Sequence, residues 1–257
     1  MRAFNDPVYF AKNILKIEPF PKQAEMLREF YRKDKKYTHL IAVTGMRGGK
    51  TQLGAMMTSY ELFKLIMLGD PQKHYQLPNG QPIFILHVAN SREQAFDTIY
   101  AQTAGLLEQS NWFVNYGMEE KHNEFIFPKY HIHLRCDHSN SASLAGRTAK
   151  MVLLDETARF KDNQGKFSGE AVYYTVSRAV KTFGDEGRVV SISSPLYDDD
   201  FQMRLYHQGQ KLDNFLTYHL TTWEMNPRIT RQMLEPEFRL NPETAWRDYG
   251  ARPPAAI

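Results

Sequence analysis

The chain has one cysteine, Cys136, in 257 residues. A lone thiol cannot close an internal disulfide, so packing alone must hold the fold, and such sparing use suits a reducing compartment. No run approaches the roughly 20 apolar residues that cross a bilayer, and no membrane partner is expected. The opening residues, Met1-Arg2-Ala3-Phe4-Asn5-Asp6, lack the apolar segment and cleavage site of a secretory leader. An excess of one charge is also missing. Lys and Arg total 32 against 29 Asp and Glu, and the net charge of +3 neither demands nor opposes a polyanionic partner. There is no internal repeat and no low-complexity tract. Aromatics are not scarce: at 13% they argue against disorder. A chain of this length can bury one generous core.

The most informative run is Thr44-Gly45-Met46-Arg47-Gly48-Gly49-Lys50-Thr51. An apolar stretch, His39-Leu40-Ile41-Ala42-Val43, precedes it, and a helical pattern of Leu53, Met56, Met57, Tyr60 and Phe63 follows as far as Gly69. Strand, glycine-rich loop and helix form the context a P-loop requires. Glycines let successive backbone N–H groups converge on an anion, and the new helix adds the positive end of its dipole. Lys50 is placed to reach the β- and γ-phosphates of ATP, and the Thr51 hydroxyl to bind Mg²⁺. The opening glycine position holds Thr44, with Gly45 just after it, a departure from G-x-x-x-x-G-K-[ST]. The plainer alternative is a chance glycine-rich turn before a helix.

About a hundred residues downstream, Met151-Val152-Leu153-Leu154 reads as a strand buried on both faces of a parallel sheet. It ends in Asp155-Glu156, at the carboxyl edge where open α/β folds bind ligands. Asp155 is expected to hold Mg²⁺, and Glu156 to orient and deprotonate the water that attacks the γ-phosphate. Alone, an apolar strand ending in two carboxylates is common; paired with Lys50 and Thr51 it makes ATP hydrolysis the leading expectation.

Helices are expected from Asp6-Pro7 and from Lys22 towards Tyr31, then strands at Ile83 to Ala89 and Arg188 to Ser193. A hairpin is expected across Glu124 to Arg135, and helices near Gly169 to Phe183 and Asp198 to His207. Ser91 with Gln94 reads as a capping box. Pro71 to Pro82 reads as a polar loop, and the last forty residues as helices and proline-marked turns. Strands alternating with helices imply an α/β fold with a mostly parallel sheet flanked by helices.

Other groups carry two readings each. Ser193 and Ser194, before Pro195, either bond the γ-phosphate or the attacking water and report its loss, or merely end a strand. The Gln23 amide matches the Hoogsteen edge of adenine, although a glutamine there is also an ordinary exposed helical residue. His131, His133, Cys136 and His138 are metal-ligand types without a second cluster to complete a zinc site. Asp198-Asp199-Asp200 reads as a helix N-terminus rather than a nuclease metal site.

Together these elements resemble the ATPase domain of the large terminase subunit of tailed bacteriophages. The resemblance rests on a P-loop with an internal arginine, Arg47, and on the strand ending Asp155-Glu156-Thr157-Ala158-Arg159-Phe160. It also rests on Ser193-Ser194-Pro195, on the proline-flanked Gln23, and on Val88-Ala89-Asn90-Ser91-Arg92-Glu93-Gln94-Ala95. Trp223-Glu224-Met225-Asn226-Pro227 is similar to the family's Asn-Pro turn. The resemblance implies a RecA-type P-loop NTPase of the ASCE class, with N-terminal helices over 1–38, an ATPase core over 39–220, and a helical segment leading to a linker over 221–257. It implies a DNA-packaging motor, using ATP and Mg²⁺ to translocate double-stranded DNA into a viral procapsid. Portal protein and small terminase subunit are the implied partners. The protein would form a homo-oligomeric ring when assembled and a monomer in isolation, in host cytoplasm and transiently on the procapsid. Thr44, Gly45, Met46, Arg47, Gly48, Gly49, Lys50 and Thr51 would hold ATP, with Ser193 and Ser194 coupling. Arg147, in Leu144-Ala145-Gly146-Arg147, is the implied trans arginine finger, and Arg47 its rival in cis. Large terminases continue into a nuclease domain; an isolated motor domain without nuclease activity is expected here. The alternatives are a superfamily 2-like helicase lobe and a nucleotide-gated DNA clamp without turnover.

Overall fold

A computed structural model describes residues 2–90, 99–121, 124–138, 144, 146–161 and 168–255. Eight strands form one sheet: β1 (His39–Thr44), β2 (Ile83–Ala89), β3 (Glu119–Lys121), β4 (Glu124–Phe127), β5 (Ile132–His138), β6 (Ala149–Asp155), β7 (Arg188–Ser193) and β8 (Phe215–Leu220). Their order is β3-β4-β5-β2-β6-β7-β1-β8. From β5 to β8 every pairing is parallel, while β3 and β4 extend the sheet antiparallel.

The apolar runs dictate this layering. Every residue of β1, β6 and β7 is buried, as strands covered on both faces require. Alternation sends Leu40, Ala42, Met151 and Leu153 to one core, with Leu53, Met56 and Met57 of the Lys50–Met67 helix. Val8, Phe10, Leu27 and Phe30 of the N-terminal helices join that core. Ile41, Val152 and Leu154 face the other, with Val172 and Val176 of the Gly169–Ala179 helix and Leu205 of the Phe201–Gly209 helix. Each such side chain contributes about 1.5–3 kcal/mol on burial.

Register fixes the functional edge. Val43 pairs with Ser193, and Asp155 with Ile192, so β1, β7 and β6 finish level. β7 lies between the P-loop strand and the Asp-Glu strand. At the opposite edge Lys150 Nζ lies 3.0 Å from Glu61 Oε2, both buried, with Arg188 beside them. Burial alone would push the Glu61 carboxyl up, but Lys150, Lys64 and Arg188 hold it down at about 2.

Several local expectations need correction. Phe215–Leu220 is a strand that borders the P-loop strand; its half-buried Thr217 and exposed His219 hide the apolar run from a periodicity reading. Pro71–His74 is a helical turn capped by Asp70 rather than a loop. The helix after the acidic triplet starts at Phe201, because Asp200 is its cap and accepts from Met203 N at 2.9 Å. The Gly169 helix stops at Ala179 and gives way to a 3-10 segment, Lys181–Glu186. The Ser91–Gln94 capping box lies outside the described residues.

Candidate nucleotide site at the carboxyl edge of the sheet

Thr44 is the last, fully buried residue of β1, and the tight approach falls one residue later. A Cβ on Gly45 would lie 2.3 Å from Thr222 Oγ1 and 2.4 Å from Tyr249 O. Glycine is therefore required at 45 and not at 44, which accounts for the departure from the usual pattern. Arg47 (φ 60°) and Gly49 (φ 88°) are both left-handed, and they curl the loop before Lys50 opens the helix. The outer side of the loop is held by the segment after β8. Thr222 Oγ1 donates to Met46 O at 2.6 Å, Asn226 Nδ2 to Arg47 O at 2.9 Å, and Met46 N to Asp248 O at 2.6 Å.

The inner side faces a cleft of about 490 Å³ lined by Met46, Arg47, Gly49, Lys50, Thr51, Asp155, Glu156 and Arg159. Lys50, from the helix N-terminus, donates to Ser194 Oγ at 2.6 Å and lies 3.1 Å from Glu156 Oε1. Glu156 is itself left-handed, with φ 58°, a conformation non-glycine residues adopt at a cost and one recurrent at functional sites. It turns the chain off β6 and swings the carboxylate towards β7, where Ser194 N donates to Oε2 at 3.2 Å and Ser193 Oγ at 3.3 Å. The two serines therefore touch the Asp-Glu element and the P-loop lysine at once. Behind them, Thr157 Oγ1 and Ser191 Oγ share a 2.7 Å bond, Ser191 donates to Gln202 Oε1, and Gln202 Nε2 donates to Ala42 O on β1. This buried chain links the Asp-Glu turn to the strand that carries the P-loop.

The Thr51 hydroxyl and the Asp155 carboxylate line the same cleft as Lys50. Both are hard oxygen donors, the type Mg²⁺ takes when substrate phosphates complete its shell. Gln23 is not an exposed helical glutamine. It is fully buried, its Oε1 accepts from Phe20 N at 2.8 Å, and its Nε2 donates to Gly49 O at 2.9 Å and Gln52 Oε1 at 3.2 Å. It is thus tied to the P-loop. Arg47 is exposed at the mouth.

Two residues stand apart from expectation. Arg147 precedes β6, and its side chain reaches across the sheet to Asp137, which the register places level with Val88 and Leu154. Its NH1 lies 3.0 Å from Asp137 Oδ2 and its guanidinium lies over Phe84, so it takes no part in the cleft of its own chain. Arg159 was not expected in the site, yet it lines the cleft with Nε 3.7 Å from Glu156 Oε2. The signal available for it was its place three residues after Glu156, where one tight turn brings side chains together. His133 pairs with Glu124 while Cys136 is buried, and alternation along β5 puts the two on opposite faces. A second cleft of about 470 Å³ opens at the amino edge. Its Arg32 and Lys36 are paired with Glu29, Asp34 and Asp185.

Residues 5–251 match the family described as "Uncharacterized protein MJ0330, N-terminal P-loop domain". The chain belongs to that family. The relative "Uncharacterized protein MJ0330" of Methanocaldococcus jannaschii is 30% identical over 128 residues, 48% of this chain and 23% of the relative. The match thus spans about a quarter of that protein. Among solved structures, the HK97 bacteriophage large terminase is similar with TM-score 0.68 and 15% identity, over 97% of this chain and 55% of that one. The Thermus phage P74-26 large terminase ATPase domain is similar with TM-score 0.61 and 17% identity, over 94% and 96%. The large terminase of thermophilic bacteriophage D6E in complex with ATP-gamma-S gives 0.59 and 16%, over 90% and 52%. At these identities the likeness is one of fold. The P-loop domain has the architecture of large-terminase ATPase domains, a mostly parallel sheet flanked by helices.

Proposed function

We propose that the chain is an ATP-hydrolysing motor domain that powers translocation of double-stranded DNA into a viral procapsid. The observation that carries the hydrolytic part is the convergence of Lys50 Nζ, Glu156 Oε1 and Ser194 Oγ within hydrogen-bond reach in one cleft. The likeness to terminase ATPase domains in fold, and to one bound to ATP-gamma-S, supports the motor part.

The residues suggest the order of events. Without nucleotide, Lys50 neutralises Glu156. ATP draws Lys50 onto its β- and γ-phosphates, and the P-loop N–H groups receive the remaining charge. Thr51 and Asp155 would hold Mg²⁺, which would supply positive charge to the phosphates when bound. Glu156, released from Lys50, accepts a proton from the attacking water. Ser193 and Ser194, bonded to Glu156, register the change and pass it through Ser191 and Gln202 to β1. Gln23, against Gly49, sets the side of the loop on which adenine lies; reading the base requires it to exchange its present partners. Arg47 in cis, or Arg147 from a neighbour, supplies the finger. Ring assembly, the portal and the small subunit follow from the terminase reading, as does action in host cytoplasm.

Purified chain assayed for phosphate release with and without double-stranded DNA tests this. Turnover that is stimulated by DNA and absent in Lys50→Ala supports it. Tight ATP binding with no turnover under any condition would replace it with a nucleotide-gated clamp.

A further inference from the structure

We propose that Arg159 is a positioning residue for Glu156, holding its carboxylate in the cleft when Lys50 leaves it for the nucleotide phosphates. This rests on the ATP-site reading above.

The backbone of the turn carrying Arg159 is fixed on every side. Arg159 N donates to Glu156 O at 2.8 Å and closes a 3-10 turn, Thr157–Arg159. Thr157 is bonded to Ser191, Ala158 N donates to Ser193 Oγ at 3.3 Å, and Phe160 is fully buried. With those neighbours directed inward, the Arg159 side chain folds back over Glu156. The two cations engage different oxygens: Lys50 Nζ approaches Oε1 and Arg159 Nε approaches Oε2.

An arginine with a purely structural duty donates to carbonyls or side chains. The guanidinium of Arg159 makes no hydrogen bond among the described residues, its NH1 is buried without a partner, and its one ionic partner is Glu156. The reason for such a cation lies in the charge sequence. Once Lys50 moves to the phosphates, Glu156 stands beside a polyanion with no counter-charge, and like charges at such distances repel strongly in a half-buried site. Arg159 is the cation that stays. It keeps the Glu156 carboxylate aimed, and it lowers the cost of detaching Lys50.

A double-mutant cycle on binding of a non-hydrolysable ATP analogue, read by calorimetry, isolates this. Arg159→Ala is expected to weaken binding about 5-fold in the otherwise wild-type chain and less than about 2-fold in a Glu156→Gln background. Arg159→Lys, which keeps the charge, should stay within about 2-fold of wild type. Equal weakening in both backgrounds would mean that Arg159 acts on the nucleotide or the fold directly, and would overturn the proposal, as would no weakening at all. If Arg159→Ala does not fold, Arg159→Met keeps the aliphatic stem and runs the same cycle. A wild-type chain that binds no analogue instead removes the ATP-site reading, and this proposal with it.

Discussion

At the scale of single residues, the site is a competition for one ammonium group. On the proposed ATP-site reading, Lys50 cannot serve Glu156 and the phosphates together, so the two removals should have opposite effects on binding. Lys50→Ala should lose nucleotide affinity and turnover together, because the phosphates lose their main cation. Glu156→Gln should bind ATP at least as tightly as wild type, since Lys50 is no longer held by a carboxylate. Its turnover should fall by about 10²–10⁴-fold, since an amide cannot accept the proton of the attacking water. Calorimetry beside a phosphate-release assay checks both, and weaker binding by Glu156→Gln would contradict the ion pair's role. The left-handed turn at Glu156 explains why the carboxylate reaches β7 at all, and that turn was not legible in the sequence. Residue type and spacing singled out Lys50, Thr51, Asp155 and Glu156, and the fold brings these four to one cleft. Neither announced Arg159, because no motif points to a side chain that arrives through a single 3-10 turn.

At the scale of elements, the P-loop helix is fastened to the sheet by buried polar contacts as well as by its apolar face. Thr58 on the helix and His87 Nε2 on β2 share a 2.7 Å bond, and burial pulls the imidazole down to about 3. His39 at the start of β1 is likewise lowered by burial, with Lys181 adding, to about 4. A histidine whose folded value is depressed binds fewer protons folded than unfolded between the two values. Stability is therefore full above about pH 6.5 and falls as pH drops towards 3 to 4. Unfolding free energies from denaturant titrations between pH 3 and 7 should show this slope, and His87→Asn should flatten it; an unchanged slope would show that His87 does not control it. Elements with strong periodicity or clear caps were legible: β1, β6, β7, the P-loop helix and the helix that Asp6 caps. β8 was not, because an edge strand with a half-polar face leaves no unbroken apolar run and no turn signal before Thr221. The boundary of the Phe201 helix moved because one of three consecutive aspartates, Asp200, takes the cap.

At the scale of the whole molecule, one of the two arginines proposed as fingers lines the cleft of its own chain and the other does not. Arg47 is at the mouth of its own cleft, while Arg147 is held by Asp137 and Phe84 on the sheet face, away from that cleft. A finger role for Arg147, tied to Asp137 and outside its own cleft, would require a neighbouring copy. Mixing Arg147→Ala subunits with Glu156→Gln subunits should then restore part of the turnover, at interfaces pairing an intact Arg147 with an intact Glu156. A silent mixture, with turnover abolished by Arg47→Ala alone, would assign the finger to cis. The grip of the 222–249 segment on the outer face of the P-loop has a separate consequence. Gly45, Met46 and Arg47 present backbone groups to Leu220, Thr222, Asn226 and Asp248 on one side, while the cleft lies on the other. The loop is thus a shared wall, and its two sides are linked thermodynamically: whatever steadies one must steady the other. Trp223, Phe238 and Trp246 form a small aromatic cluster apart from the two faces of the sheet, a unit small enough to open locally. Amide hydrogens in the Glu235–Leu240 and Pro242–Asp248 helices should therefore exchange more slowly when ATP is bound, although neither helix lines the cleft. Nucleotide occupancy would then be readable as the breathing rate of a remote aromatic cluster.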